Sequence, residues 1–357
     1  MFSRLSTAAA LMSLLAVPSY AHSIPRQSTN LTHWPAGAAA ALDGMIAANA
    51  DQGNYACFDM DQTSYRYDLT ESLLPFLENR GVLTRDNLDP SLKLIPFEDT
   101  ANYTETLFSY YYRLCDIDDK VCYPWIAQAF SGLLLSTLKT YVDELMEHAQ
   151  PINTTYLDDG VVTPISVNPP VIYPGQVELY NELMRNNITV YVITAASEEI
   201  VRMVASDPKY GYNVAPENVI GVATLLRNAT SGALTSSRLQ IAHGAYDEHA
   251  NRALVYTPTL WSPLTWYSGK WAAILEYIDE WKKPVLVAGD TPTSDGYMLF
   301  HGVDVAKGGI HLWVNRRDAY FEVLQDMIVE NTAAQVEYGL PVTADKNWVV
   351  VTPPDLL

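Results

Sequence analysis

The stretch that most constrains this chain is Ala-Cys-Phe-Asp-Met-Asp-Gln-Thr at residues 56–63, where an apolar run stops at two carboxylates. Side chains two positions apart on a strand point the same way, so Asp59 and Asp61 can share one small volume if the chain turns after Asp59. Open α/β sheets bind ligands at the carboxyl ends of their strands. Two carboxylates so close together need a cation or a shared proton. The stretch therefore predicts a metal site or acid–base chemistry at the end of a first strand.

Segments typical of strands and helices alternate along much of the chain. A buried strand at 55–58 is followed by a helix that begins near residue 70, and the alternation resumes after residue 170. The later elements are a helix at 176–185, a strand at 188–193, a helix from 198, a strand at 218–223, a helix at 270–281, a strand at 284–288, a strand at 310–314 and a helix at 317–328. This alternation predicts an α/β fold, a Rossmann-like parallel sheet with helices on both faces.

Residues 84–170 differ from their surroundings because they contain long helical stretches rich in tyrosine and acidic residues. No strong strand signal interrupts these stretches until residues 160–162. The simplest interpretation is a mostly helical cap inserted into the core, so that residues 22–83 and 171–357 form the core. A polar segment that ends near residue 268 is expected to be irregular.

The first 21 residues have the pattern of a secretory signal peptide. Arg4 gives a positive start, residues 5–17 are mostly apolar, and Ser19-Tyr20-Ala21 is a small-x-small cleavage site. Asn-x-Ser/Thr sites that fit an export route occur at Asn30, Asn102, Asn153, Asn187 and Asn228. The sequence therefore predicts a secreted protein, with glycosylation at one or more of these sites.

Charge and cysteine content limit the partners and the cellular compartment. The formal net charge of −19 argues against binding to nucleic acid or to an anionic membrane surface. A phosphate-bearing substrate would need a locally positive pocket. Cys115 and Cys122 could form a disulfide in an oxidising compartment, a question that the sequence leaves open, whereas Cys57 fits a buried apolar position.

Four segments with reactive side chains occur in a fixed order. They are DMDQT at 59–63, VYVITAAS at 190–197, SGKWAAILEYI at 268–278 and VAGDTPTSDGYM at 287–298. This order resembles the signature of the haloacid dehalogenase-like hydrolase superfamily, in which an Asp-x-Asp-x-Thr strand end is followed by a Ser/Thr strand end, a lysine and a Gly-Asp strand end with a further aspartate. The resemblance spans most of the chain beyond the signal peptide and implies phosphoryl transfer.

The resemblance implies a role for each carboxylate of the signature. Asp59 would be the nucleophile that forms an aspartyl-phosphate, and Asp61 would be the general acid and base. A Mg²⁺ ion would be held by Asp59, Asp290 and the backbone carbonyl of Asp61. Asp295 would orient the ligands or waters of the metal.

The same resemblance implies the phosphate-binding residues. Thr194 and Lys270 would bind the transferring oxygens, and Lys270 would also pair with Asp59. Thr63 would shape the turn and hydrogen-bond near the phosphate. A calcium-binding loop is the other structure that begins Asp-x-Asp, but Ser64 replaces its glycine and Thr70 replaces its bidentate glutamate.

The cap region is where we expect substrate choice to be made. It is rich in tyrosine, tryptophan and acidic residues, and aromatic faces beside carboxylates are the expected surroundings of a quaternary ammonium. With the secretory signal and the GDTPTSDGYMLF string, this resembles the phosphorylcholine phosphatase branch of the superfamily, although that branch is expected to have an acidic residue near Thr293. Glu98, Asp99 and Trp125 are the candidates for the cation pocket, although helix packing also explains many of the aromatic rings.

Two other functions fit the sequence. One is a phosphatase for another small metabolite, such as a phosphoserine-like compound or a sugar phosphate. The other is a non-catalytic secreted binding protein that keeps the fold. The complete set of reactive side chains disfavours the second, because clustered carboxylates are costly to hold together unless a metal or a substrate uses them. The sequence thus favours a secreted, Mg²⁺-dependent phosphatase acting on a small phosphomonoester, with phosphorylcholine as the favoured substrate.

Overall fold

The structure is a computed structural model that describes residues 31–357. Its helices are α1 (Ala36–Asn49), α2 (Leu69–Glu78), α3 (Leu107–Ile117), α4 (Asp119–Gln128), α5 (Leu135–Met146), α6 (Pro174–Arg185), α7 (Glu198–Ala205), α8 (Ser237–Ala242), α9 (Glu248–Asn251), α10 (Ser268–Tyr277), α11 (Pro292–Gly302) and α12 (Asp318–Glu337). Its strands are β1 (Tyr55–Phe58), β2 (Tyr65–Arg66), β3 (Ile152–Asp158), β4 (Val161–Val167), β5 (Val171–Ile172), β6 (Thr189–Ser197), β7 (Val219–Val222), β8 (Thr224–Asn228), β9 (Leu234–Thr235), β10 (Leu254–Leu260), β11 (Leu286–Gly289), β12 (Ile310–Val314) and β13 (Trp348–Val351). The signal peptide expected at residues 1–21 and the glycosylation site at Asn30 lie outside the described residues.

A six-stranded parallel sheet forms the centre of the molecule and confirms the predicted fold class. Its strand order is β13-β12-β11-β1-β6-β7, so β1 lies between β11 and β6. In this register Phe58 is opposite Ala288 on one side and Val192 on the other. Because all these strands are parallel, their carboxyl ends meet at one edge of the sheet, and the residues that follow β1, β6, β11 and β12 lie side by side.

The two faces of the sheet support separate hydrophobic clusters. Ala56 and Phe58 pack into one cluster together with buried residues of α1, α2, α6 and α7, whereas Tyr55 and Cys57 pack into another with residues of α10, α11 and α12. This alternation follows from the period of two along a strand. Helices on both faces fix β1 tightly, which makes the position of Asp59 at its end well defined.

The region between residues 84 and 170 contains α3, α4, α5 and an antiparallel hairpin of β3 and β4. The hairpin begins earlier than the first strand signal recognised in the sequence. Its turn at Asp159 and Gly160 has positive φ angles of 46° and 78°, the conformation that an Asp-Gly pair favours in tight hairpins. The segment expected to be irregular also holds strands, since β8, β9 and β10 form a small antiparallel sheet.

Cys115 and Cys122 form a disulfide that joins α3 to α4. Cys57 is a free, buried thiol in β1. The question left open by the sequence is thus answered in favour of the bridge, which limits how far α3 and α4 can move apart. Among residues 31–357, no helix combines the length and the apolar character needed to cross a membrane.

Candidate active site

The chain turns sharply after β1, and this turn brings two carboxylates into one cavity. The backbone N–H of Asp59 donates to the carbonyl of Ala288 at 3.0 Å, which continues the pairing of β1 with β11 by one residue. The Ser64 hydroxyl donates back to the Asp59 carbonyl at 2.6 Å, and Gln62 has a positive φ of 62°. Asp59 and Asp61 therefore both line the cavity at the carboxyl edge of the sheet.

Lys270 is a buried cation between two buried carboxylates. Its Nζ lies 2.6 Å from Oδ1 of Asp59 and 2.7 Å from Oδ1 of Asp295. The preceding Gly269 has no room for a side chain, because a Cβ there would lie 1.8 Å from the carbonyl oxygen of Leu264. Burial raises the pKa of Asp59 well above its usual range, and Lys270 is the main group that opposes this rise. Lys270 thus favours the ionised form of Asp59 and offsets part of the cost of burying it.

Asp295 braces the loop that follows β11. While one of its oxygens accepts from Lys270, its Oδ2 accepts from the backbone N–H groups of Asp290 and Thr291, each at 2.9 Å. Gly289 permits this approach, since a Cβ at that position would lie 2.6 Å from the Cβ of Asp295. Asp295 therefore positions the loop that carries Asp290.

Asp290 is held by three side chains. Its Oδ1 accepts from the Thr63 hydroxyl at 3.0 Å, and its Oδ2 accepts from the Thr291 hydroxyl at 2.9 Å and from Nε of Arg316. Thr63 is fully buried and its hydroxyl is bound to Asp290, so its predicted hydrogen bond near the phosphate stays a prediction. Thr63 acts on the site through that carboxylate.

The donor set fits a divalent cation. Ligand oxygens of Asp59, Asp290 and Asp295 all lie within 4.8 Å of one another, and the three residues are buried. Burial raises the pKa of Asp290, and the charge of Asp295 adds to this effect. Mg²⁺ prefers hard oxygen ligands, and its charge would offset the repulsion between these crowded carboxylates.

Asp61 has the properties of a proton carrier. Its Oδ1 accepts from the Tyr65 hydroxyl at 2.6 Å and from the Leu69 N–H at 2.8 Å. Burial nevertheless raises the pKa of Asp61 to about 6. A carboxyl group with such a pKa can give and take a proton near neutral pH, as a general acid and base requires.

Thr194 lies in β6 and lines the same cavity. Its hydroxyl accepts from the Ala196 N–H at 3.1 Å, and its carbonyl accepts from the Thr265 hydroxyl at 2.6 Å. The second bond links β6 to the segment that leads into α10 and Lys270. The structure thus brings together Asp59, Asp61, Thr194, Lys270, Asp290 and Asp295 from four separate parts of the chain.

The cavity has a volume of about 560 Å³, and two chemically different groups of residues line it. The group from the sheet edge comprises Asp59, Asp61, Thr194, Asp290, Thr291 and Arg316. The second group, which we call the aromatic–acidic wall, comprises Glu71, Tyr111, Tyr112, Asp119 and Tyr123. A ligand in this cavity can therefore contact both the carboxylate cluster and aromatic rings with carboxylates.

The aromatic–acidic wall is ordered by its own contacts. The Tyr112 hydroxyl donates to Glu71 at 2.5 Å, and the rings of Tyr111 and Tyr112 meet edge to face at 5.5 Å between centroids. Asp119 accepts from the hydroxyl of Tyr267 at 2.6 Å. Two α3 rings and two fixed carboxylates thus face the cavity, an arrangement suited to an organic cation.

Glu98, Asp99 and Trp125 are not part of this site, which corrects their assignment to a cation pocket. Glu98 is 55% exposed and pairs with Arg113 at 2.8 Å. Asp99 pairs with Arg85 at 2.6 Å and lines a separate cavity. Trp125 is buried in the core, where its Nε1 donates to the Leu92 carbonyl at 2.8 Å. Each of the three is satisfied by a partner within the protein.

Several residues of the site were missed at the sequence level, among them Glu71, Asp119 and Arg316. Arg316 follows β12 closely, so the rule that drew attention to Thr194, a polar residue at a strand end, could have found it. Glu71 and Asp119 lie near helix starts, where an acidic residue is favoured for local reasons and gives no sign of a further role.

Comparison with known proteins gives matches both in sequence and in structure. The chain is 62% identical over 341 residues to the phosphorylcholine phosphatase of Pseudomonas aeruginosa, an alignment that covers 95% of this chain and 97% of that protein. Its structure resembles that of a conserved protein of unknown function from Anaerococcus prevotii, with a TM-score of 0.56 and 17% identity, over 83% of this chain and 90% of the other. No protein-family model matches the chain. The structural match concerns the fold alone.

Proposed function

This chain belongs to the phosphorylcholine phosphatase family of haloacid dehalogenase-like hydrolases, and on that premise we propose that it is a secreted, Mg²⁺-dependent enzyme that hydrolyses phosphorylcholine. The observation that carries the proposal is the cavity itself. It combines Asp59, which is paired with buried Lys270 beside two further carboxylates, with the aromatic–acidic wall. A phosphate and a trimethylammonium group are the two ends of phosphorylcholine.

Asp59 is the nucleophile of the proposed reaction. One of its oxygens attacks phosphorus while the bond from phosphorus to the choline oxygen breaks, and Asp61 gives its proton to that oxygen. Asp61, now ionised, then takes a proton from a water molecule that attacks the phosphorus of the aspartyl-phosphate. Inorganic phosphate leaves and Asp59 is regenerated. The pKa of Asp61, raised to about 6 by burial, supports both roles.

Charge neutralisation is the second requirement, because an anionic nucleophile must approach an anionic phosphate. Asp59 and Asp290 would hold Mg²⁺, which would supply positive charge beside the nucleophile and the phosphate. Lys270 holds Asp59 in place and offsets its charge at 2.6 Å, while Thr194 lines the cavity and can donate its hydroxyl proton to a phosphate oxygen. Asp295 keeps the Asp290 loop in position through its two backbone contacts.

Recognition of the choline group is assigned to the aromatic–acidic wall. A quaternary ammonium has no N–H to donate, so it is bound by ring faces and by negative charge. Tyr111 and Tyr112 supply rings, and Glu71, whose Oε1 accepts from the Tyr112 hydroxyl, supplies a carboxylate that lines the cavity. A phosphomonoester with a neutral alcohol would gain nothing from this charge.

We expect Glu71→Gln to raise KM for phosphorylcholine by roughly tenfold, which corresponds to about 1.4 kcal/mol of lost cation attraction. KM for glycerol phosphate, whose alcohol is neutral, should change less than about twofold, because the carboxylate makes no favourable contact with it. Steady-state kinetics on both substrates would provide the comparison.

Glu248→Gln is the matched control, since Glu248 is exposed and pairs with Arg252. It should leave both KM values unchanged. If Glu71→Gln changed KM for the two substrates equally, or if the wild-type protein preferred glycerol phosphate, the choline assignment would be wrong, and a phosphatase for another small metabolite would be favoured.

Secretion and glycosylation remain proposals that depend on the signal-like residues 1–21 and the Asn-x-Ser/Thr sites. The Cys115–Cys122 disulfide supports an oxidising compartment, because such bridges are rare in the cytosol. Mass spectrometry of protein from the culture medium would test secretion directly. A mature chain that starts at residue 22 is expected, and a chain that retains residues 1–21 would contradict it.

A further inference from the structure

Arg316 is a cation of the site that the proposed reaction does not use. It follows β12, the neighbour of β11 in the sheet, so it lies beside the loop that carries Asp290. Its side chain is 17% exposed and lines the cavity. A largely buried arginine beside a proposed metal ligand calls for a physical explanation.

The contacts of Arg316 converge on one carboxylate. Its Nε donates to Oδ2 of Asp290, and its Nη2 donates to the Thr291 hydroxyl at 3.0 Å. That hydroxyl in turn donates to the same Oδ2 at 2.9 Å. The guanidinium carbon lies 4.8 Å from the ring centroid of Tyr320, which limits its movement on the other side. Arg316 is thus fixed on one of the two oxygens that Asp290 can offer to a cation.

The charges around this contact suggest why it exists. The centre of the site has four buried or nearly buried carboxylates, Asp59, Asp61, Asp290 and Asp295, and two cations in contact with them, Lys270 and Arg316. Lys270 forms ion pairs with Asp59 and Asp295, whereas Arg316 forms an ion pair with Asp290. With these six groups ionised, negative charge exceeds positive charge, and the carboxylates of Asp68 and Glu71, which line the same cavity, add to the excess. Without Arg316, the metal-free site would hold a still larger negative charge away from water.

We propose that Arg316 is a positioning residue that acts as the internal counter-ion of Asp290 and lowers the affinity of the site for Mg²⁺. It neutralises Asp290 while the site holds no metal, and a cation that binds Asp290 must share this carboxylate with the guanidinium. Arg316 thereby keeps the carboxylate cluster stable without metal and makes the bound ion exchangeable. The inference rests on the proposed use of Mg²⁺, but it concerns binding of the ion and not turnover.

The direct test is calorimetric titration of the metal-free protein with Mg²⁺. Arg316→Gln should lower Kd for Mg²⁺ by on the order of tenfold, because a positive charge next to a ligand is removed while the side chain keeps a hydrogen-bond donor. Arg316→Lys, which keeps the charge, should stay within about threefold of wild type. Arg252→Gln removes the same charge from an exposed arginine that pairs with Glu248 and does not line this cavity, and it should change Kd less than about twofold.

A second measurement separates this role from ordinary structural support. The thermal unfolding midpoint of Arg316→Gln should fall below that of wild type without metal, and saturating Mg²⁺ should remove most of the difference, since the tighter-binding variant gains more from the ligand. Equal destabilisation with and without Mg²⁺, failure to fold in either condition, or an unchanged or weaker Kd would overturn the proposal. If the wild-type protein bound no Mg²⁺, both this inference and the metal dependence of the proposed function would fail. If wild type bound Mg²⁺ and Arg316→Gln left Kd unchanged, only this inference would fail.

Discussion

Asp59→Asn is expected to lower the turnover of phosphorylcholine by at least about a thousandfold while the protein stays folded. The amide is nearly the same size as the carboxylate and can still accept from Lys270 at the position where Asp59 does so at 2.6 Å. It cannot attack phosphorus to form an acyl phosphate, so the two-step reaction has no first step. Phosphate release measured alongside circular dichroism would separate loss of chemistry from loss of fold.

Removal of this charge should not destabilise the protein. Burial already raises the pKa of Asp59, and Asp295 and Asp290 add to the effect, so the ionised form is costly in the absence of metal. The matched control is Asp345→Asn, at an exposed carboxylate that pairs with its neighbour Lys346. It should leave turnover unchanged. Turnover of Asp59→Asn within about tenfold of wild type would show that Asp59 is not the nucleophile.

Lys270→Met should have the second-largest effect, on stability as well as on rate. Lys270 is fully buried and lies within 2.7 Å of both Asp59 and Asp295, so the variant leaves two buried carboxylates without their cation. Loss of one partner of a buried ion pair costs about 3–5 kcal/mol. We expect a loss of that size in the free energy of unfolding by urea, measured without metal, together with loss of turnover.

Lys346→Met provides the control for the second prediction, because this lysine is about half exposed and its ion pair is at the surface. The expected change there is below about 1 kcal/mol. Since burial raises the pKa of Asp59, a lower pH that protonates this carboxylate should recover part of the stability of Lys270→Met. Lys270→Met with wild-type stability and wild-type activity would contradict the assigned geometry.

The core of the fold follows from strand ends that the sequence reveals. Residues 55–58 are apolar throughout, and Asp59 interrupts the run, so both the strand and its polar end were predictable. The parallel sheet follows from the alternation of strands and helices. The β3–β4 hairpin was missed, although its Asp159-Gly160 turn is a strong local signal, because the surrounding residues were interpreted as part of a helical cap.

The substrate side of the site could not be predicted in the same way. Composition shows that the cap is rich in aromatic and acidic residues, but it does not show which of them face the cavity. Trp125 packs in the core and Asp99 pairs with Arg85. Tyr111 and Tyr112, which belong to α3, line the cavity. Such choices depend on tertiary packing, which helical periodicity specifies only in part.

The most direct test of the central claim is phosphate release from phosphorylcholine by the purified protein, with Mg²⁺ and then with a chelator. Our account predicts rapid release with Mg²⁺, loss of release when the chelator is added and recovery when Mg²⁺ is restored in excess, because the carboxylates of Asp59 and Asp290 need the ion to accept a phosphate dianion. No release from phosphorylcholine, or release that the chelator leaves unchanged, would contradict it.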